Sequence, residues 1–235
     1  MATVDIVLPG YPVRTARGSV GYASVSLITA DDGRRILVDC AGYADRTQFF
    51  DALRERGLAA ADIDAVVLTH LHFDHAVNAR FFPAARVYVA RAEYDYAEWS
   101  ARQAPYGDPY TVDDPDGLLG PLKTELVGGE LDLAPGVRLF PSPGHTPGML
   151  SVLVHTPEGR VAIVSDAAKS VSELITGQVF PSAAVDDAQA TRSIERFLAE
   201  ADYIIPGHDR KVRVVDGHVR LEDVRNRPAL TLYIY

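Results

Sequence analysis

The sequence contains one cysteine, Cys40, in 235 residues. A lone thiol forms no intrachain disulfide, and this fits a reducing compartment. No apolar run approaches the roughly 18 residues that span a bilayer. The N-terminal Met1–Gly10 stretch lacks the basic start and apolar run of a secretory signal. The expected location is therefore cytoplasmic, with no membrane partner. Basic residues are also in short supply: Lys and Arg total 23 against 32 Asp and Glu, for a net charge of −9. Arg34-Arg35 and Arg54-Glu55-Arg56 are short and read as solvated faces. An acidic chain with no basic run repels phosphate backbones, so nucleic acid is not an expected partner.

What is present suffices for a globular core. Hydrophobic residues make up 47% of the chain, which excludes disorder. The length suits a single α/β domain over residues 1–235. Short β-branched runs predict strands at about 3–8, 24–29, 35–39, 65–69, 86–90, 137–140, 150–155, 161–165, 202–205, 211–215 and 218–222. Asp216-Gly217 suits a tight type I′ hairpin turn between the last two. One helix is expected after Asp45 as N-cap, with Phe49, Phe50 and Leu53 on one side and Gly57 as its stop. Another is expected from about Asp187 to Ala201, carrying Ile194, Phe197 and Leu198 at helical spacing. Strand-rich segments with interspersed helices predict face-to-face sheets with helices outside.

The stretch 91–123 differs. It carries Tyr94, Tyr96, Trp99, Tyr106 and Tyr110, then the turn-rich Asp113-Asp-Pro-Asp-Gly117. It reads as a helix followed by an irregular loop, either a lid or a packed insertion.

The chemistry concentrates after the apolar strand Ala65–Leu68. There His70-Leu-His72-Phe-Asp74-His75 packs four metal-type side chains into six residues. Imidazole and carboxylate together suit borderline and hard cations. At longer range, Pro143-Gly144-His145, Ser165-Asp166 and Pro206-Gly207-His208 each follow a predicted strand. The repeated Pro-Gly-His fixes the backbone so that each imidazole is held without mobility. The remaining histidines, His155 and His218, read as surface groups.

This pattern resembles the metallo-β-lactamase superfamily, whose His-x-His-x-Asp-His motif is followed by a distant His, an Asp and a His. Asp39, in Ile36-Leu-Val-Asp39, matches an earlier family motif. The resemblance implies a four-layer αββα sandwich with two divalent metal ions, zinc first, with iron, manganese or cobalt as alternatives. His70, His72 and His145 would hold one ion. Asp74, His75 and His208 would hold the other, and Asp166 would bridge them. Asp39 would orient the ligand loop rather than bind a metal. A homodimer is an expectation at family level only.

The ligand set implies a bridging hydroxide that attacks a carbonyl, with Asp74 orienting it and relaying its proton. Asp166 argues against a true β-lactamase, which carries other residues there. The motif, His145, Asp166 and His208 are most similar to the N-acyl homoserine lactonase-like group, so a carboxylic ester or lactone is the expected substrate. Those lactonases carry tyrosine where this chain has Lys169, and a glycine pair where it has Ala76-Val77-Asn78. Lys169 reads either as an anchor for a substrate carboxylate or oxyanion, or as a solvated lysine at a helix start. Phe73, with Tyr94, Tyr96 and Trp99, is a candidate apolar wall for an acyl chain. The alternatives are a thioesterase of the hydroxyacylglutathione hydrolase type, which uses the same seven ligands, and a mononuclear iron persulfide dioxygenase, which needs only part of them.

Overall fold

Neighbouring residues of one strand feed different cores. Ile36 and Val38 join one apolar cluster and Leu37 another; Val161 and Ile163 join one, Ala162 and Val164 another. Strands buried on both faces in this way belong to sheets with a layer on each side. The computed structural model describes residues 1–15, 18–179 and 185–220.

The strands run β1 (Thr3–Leu8), the short ribbon β2 (Arg14–Thr15) and β3 (Gly18–Ser19), β4 (Val25–Thr29), β5 (Arg35–Val38), β6 (Ala65–Val67) and β7 (Arg86–Ala90). There follow β8 (Lys123–Val127), β9 (Leu131–Ala134), β10 (Val137–Pro141), β11 (Leu150–Thr156), β12 (Gly159–Ser165), β13 (Tyr203–Pro206), β14 (Val212–Val215) and β15 (His218–Val219). One sheet has the order β1-β4-β5-β6-β7-β8 and the other β15-β14-β13-β12-β11-β10-β9. In the first, β5 to β8 are parallel neighbours; in the second, the parallel pair is β12 and β13.

The helices are α1 (Arg46–Glu55), α2 (Phe73–Ala76), α3 (Arg91–Arg102), α4 (Pro115–Leu119), α5 (Val171–Thr176) and α6 (Asp187–Glu200). Phe49 and Leu53 of α1 and Ala97 of α3 pack on one face of the first sheet. Ile194 and Phe197 of α6 and Leu174 of α5 pack on one face of the second. The remaining cluster draws Ile36, Val38 and Val67 from one sheet and Leu139, Val152, Val161 and Ile163 from the other. The result is the expected αββα sandwich.

Most expected elements form. Asp216 and Gly217 both take positive φ, 53° and 74°, as a type I′ turn requires. The last strand reaches only Val219, and residues 221–222 lie outside the described residues. Asp45 precedes α1, but its carboxylate turns to the Gly42 N–H at 2.9 Å instead of capping the helix. Besides the short ribbon β2–β3, two strands of the main sheets escape the sequence reading. β8 is an edge strand of mixed residues, Lys-Thr-Glu-Leu-Val, and it gives no clean alternation. β9 is the opposite edge of its own sheet and has only four residues. The turn-rich Asp113–Gly117 stretch also departs from expectation. Pro115 starts α4, and the Asp114 carboxylate caps it by accepting the Gly117 N–H at 2.8 Å.

Phe49 is fully buried, with its ring 5.0 Å from that of Phe50 and 6.0 Å from that of Phe82. We predict that Phe49→Ala lowers unfolding free energy by about 3–5 kcal/mol, read as a shifted denaturant midpoint at constant slope. A loss below about 1 kcal/mol would contradict this packing.

Candidate metal centre

Five strands end on one rim of the sandwich, and each delivers a polar residue there. β5 leads into Asp39, β6 into His70 and His72, β10 into His145, β12 into Asp166 and β13 into His208. After β6 the chain stays extended at His72, then turns into α2, whose first residues present Asp74 and His75. Two groups of donor atoms result. His70, His72, His145 and Asp166 form one; Asp74, His75 and His208 form the other, and within each group the donors lie within 4.8 Å of one another. All seven side chains are buried.

Asp166 faces both groups. Its Oδ2 is 3.4 Å from His145 Nε2, while its Oδ1 is 3.4 Å from His75 Nε2 and 3.2 Å from His208 Nε2. Ser165, immediately before it, takes a positive φ of 49°, an uncommon conformation for a residue with a side chain. The two Pro-Gly-His loops use their glycines differently. Gly144 needs a φ of 141°, whereas at Gly207 a Cβ would lie 1.9 Å from Asp166 Oδ1. A side chain at 207 would displace the central carboxylate.

A shell of buried groups orients the imidazoles. Asp39, itself at φ 62°, accepts from His75 Nδ1 (2.8 Å), the Thr69 N–H and hydroxyl (2.9 Å) and the Ser165 hydroxyl (2.8 Å). Thr69 Oγ1 is 3.1 Å from His70 Nδ1. His208 Nδ1 donates to the Tyr22 carbonyl at 3.0 Å. Asp39 thus touches His75, Thr69 and Ser165, on three of the segments that carry the candidate ligands. Such partners fix ring orientation and tautomer.

Three residues in this shell were not singled out from sequence. Asn78 is fully buried; its amide donates to the carbonyls of Cys40, Ala41 and Gly42 and accepts from Arg46 Nε. Glu93, also fully buried, accepts the Leu71 N–H at 2.9 Å and the Thr146 hydroxyl at 2.6 Å. It bolts together the two loops that carry His70, His72 and His145. Asp108 Oδ2 lies 3.0 Å from His72 Nε2. Single-residue signals of this kind, an asparagine after a motif or an acid in a helix, have no local pattern to betray them.

Electrostatics divide the imidazoles. Burial, with His75, His72 and His145 as neighbours, holds His70 well below the ordinary histidine value. Burial also opposes charge on His75, but Asp74, Asp39 and Asp166 outweigh it and raise its pKa to about 10. His208 is raised in the same way, against burial, chiefly by Asp166. Burial would raise Asp166, yet His208, Lys169 and His75 hold it well below the usual carboxylate range.

The donor set fits divalent cations. His70 Nε2, His75 Nε2 and Asp166 Oδ1 are buried without a hydrogen-bond partner among the described residues. His72 Nδ1 and His145 Nε2 face each other at 3.1 Å. Orphaned buried nitrogen and carboxylate atoms that converge on a common space are what a cation satisfies. Zinc, iron, manganese and cobalt all accept this mixture.

The other sequence candidates lie around this centre. Lys169 Nζ is 3.4 Å from Asp166 Oδ2, with its side chain 28% exposed, one residue before the Ser170 cap of α5. Phe73 is half-buried between Gly21 and the stacked ring of Tyr110, 6.4 Å away. Tyr94 bonds to Asp116 through its hydroxyl, and Tyr96 stacks on Trp99 at 5.8 Å. His155 and His218 are exposed. No helix among the described residues is long and apolar enough to cross a membrane.

Residues 18–208 match the family described as the metallo-beta-lactamase superfamily. The chain is 31% identical to the metallo-beta-lactamase domain-containing protein 1 of Rattus norvegicus over 225 residues, covering 93% of this chain and 80% of that protein. It is 29% identical to an N-acyl homoserine lactonase of Bacillus cereus over 161 residues, 67% of this chain and 60% of that protein. That aligned stretch is less than two thirds of the lactonase. Among solved structures, the dizinc quorum-quenching lactonase AidC, in complex with a homoserine product, superposes with a TM-score of 0.68 at 21% identity, over 83% of this chain and 76% of that one. At that identity the likeness speaks for the fold. With the fold, the clustered His/Asp donors and the family match in agreement, the chain belongs to the metallo-beta-lactamase superfamily as a hydrolase with a metal-binding His/Asp cluster.

Proposed function

We propose that the protein is a two-metal hydrolase of carboxylic esters or lactones. The observation that carries this reading is Asp166, which turns one oxygen to each donor group. His70, His72 and His145 would hold one divalent cation, Asp74, His75 and His208 the other, with Asp166 between them. Zinc is the favoured identity, and the dizinc lactonase of the same fold supports it. Cations there would acidify a shared water to near neutrality and polarise the substrate carbonyl.

The chain's own residues supply the rest. Asp74 Oδ2 lies 3.5 Å from His208 Nε2 and 3.8 Å from His75 Nε2, on the inner side of the cluster. From there it would accept the attacking water's proton and pass it to the leaving oxygen. Phe73 would contact the acyl portion of the substrate. Lys169 would hold a substrate carboxylate or the developing oxyanion, its ammonium kept near the centre by Asp166. The lactonase relatives favour a lactone; lysine in place of their tyrosine favours an anionic substrate over a neutral one.

A panel of lactones, thioesters, phosphodiesters and β-lactams on metal-reconstituted protein tests the reading. Turnover of esters or lactones is expected, and turnover of phosphodiesters alone would overturn it. On the true substrate, Lys169→Ala should raise KM more than it lowers kcat; an unchanged KM would sink the anchoring role.

The metal-stripped chain should also show a distinctive pH response. His75 and His208 have raised pKa values, so their stabilising contribution is complete below the ordinary histidine value of 6.5 and fades above it, for His75 through about 10. Asp166, with a lowered pKa, contributes fully throughout that range, and His70 stays neutral in it. The Tm of the stripped protein should therefore fall between pH 6.5 and 10, while stabilisation by added zinc should grow as the ligands deprotonate. A stripped-protein Tm that rises across that range would contradict this charge assignment.

A further inference from the structure

We propose that Asp108 is a positioning residue for one metal position alone, and that residues 91–112 thereby control occupancy of that position. The proposal rests on the two-metal reading above. His72 turns Nδ1 into the cluster, 3.1 Å from His145 Nε2, and Nε2 outward to Asp108 Oδ2 at 3.0 Å. An imidazole can offer a lone pair at Nδ1 only if its proton is on Nε2, and a carboxylate acceptor at Nε2 enforces that tautomer.

Asp108 is itself held firmly. Its Oδ2 also accepts the Tyr96 hydroxyl at 3.1 Å, its Oδ1 accepts the Tyr110 N–H at 3.0 Å, and its own N–H donates to Ser100 Oγ at 2.8 Å. The segment is stitched directly to the ligand loop. Phe73 N–H donates to the Tyr110 carbonyl at 2.8 Å, Val112 N–H to the Leu71 carbonyl at 2.9 Å, and His72 bridges Thr111. Helix α3 adds Glu93, which ties Leu71 to Thr146, beside His72 and His145.

The second group has different supports. His75 leans on Asp39 and His208 on the Tyr22 carbonyl, both outside 91–112. Asp108 therefore reaches the centre through a ligand of the first group only. Removing it should free the His72 ring and its tautomer while leaving Asp74, His75 and His208 as they are. A substrate or partner that drew Asp108 away from His72 would act on the same ion.

The test measures zinc binding by stripped wild type, Asp108→Ala and Asp108→Asn in competition with a chromophoric chelator, with cobalt spectra of each. Wild type should bind two equivalents. Asp108→Ala should keep one at the wild-type constant and weaken the other about 10–100-fold, with one set of cobalt bands changed. Asp108→Asn should lose less, because its amide oxygen still accepts a hydrogen bond. Stripped Asp108→Ala should match the wild-type circular dichroism, which separates positioning from folding. Two wild-type constants in Asp108→Ala, or equal weakening of both, would overturn the proposal. If Asp108→Ala does not fold, Asp108→Asn decides: unchanged constants overturn the proposal, one weakened constant supports it. A wild type that binds a single equivalent would contradict the two-metal reading instead; the proposal then stands if Asp108→Ala weakens that equivalent and falls if it does not.

Discussion

The buried carboxylate of Asp166 is the constraint around which the rim of this sandwich is organised. Its side chain is 2% exposed, and Oδ1 has no hydrogen-bond partner among the described residues. An ionised carboxylate removed from water costs several kcal/mol unless cations or donors face it. Here those groups are imidazoles on both sides and the Lys169 ammonium. Without a metal, the neighbouring carboxylates favour protonated His75 and His208, Asp166 chief among them for His208. Were cations bound among these donors, the same nitrogens would have to give up those protons. On the two-metal proposal, Asp166 would couple protonation, metal binding and stability in one buried atom group.

The fold serves that carboxylate by making five strand ends coincide. Two packed sheets with alternating faces form three apolar layers, and these fix the strand ends against one another. Hydrogen bonds then close the rim between sheets: Leu150 N–H donates to the Thr69 carbonyl, and Ser24 N–H to the Gly207 carbonyl. Positive φ at Asp39, Ala41 and Ser165 adds local strain at the same place. Residues that carry such strain are held there by the surrounding structure, as at many functional sites.

Much of this was legible in the sequence because it is local. Four donors in six residues, two Pro-Gly-His loops and an aspartate after a strand all announce themselves by spacing, and all seven side chains converge. The central strands were equally legible, since burial on both faces leaves continuous apolar runs such as Val161–Val164. What escaped is what tertiary context decides. β8 forms at an edge where one side has no neighbour, so its polar residues carry no signal. Glu93, Asp108 and Asn78 act on loops 22, 36 and 36–38 residues away, and no periodicity connects them to the motif. Asp114 resembles any turn aspartate until Pro115 begins a helix behind it.

The central claim is that Asp166 lies between two cations. A crystal structure of the zinc-loaded protein, with anomalous data collected on both sides of the zinc edge, tests it most directly. The account predicts two anomalous peaks per chain: one among His70, His72 and His145, one among Asp74, His75 and His208, with a separate oxygen of Asp166 on each. A single peak, or two peaks with Asp166 bound to neither or to one alone, would contradict it.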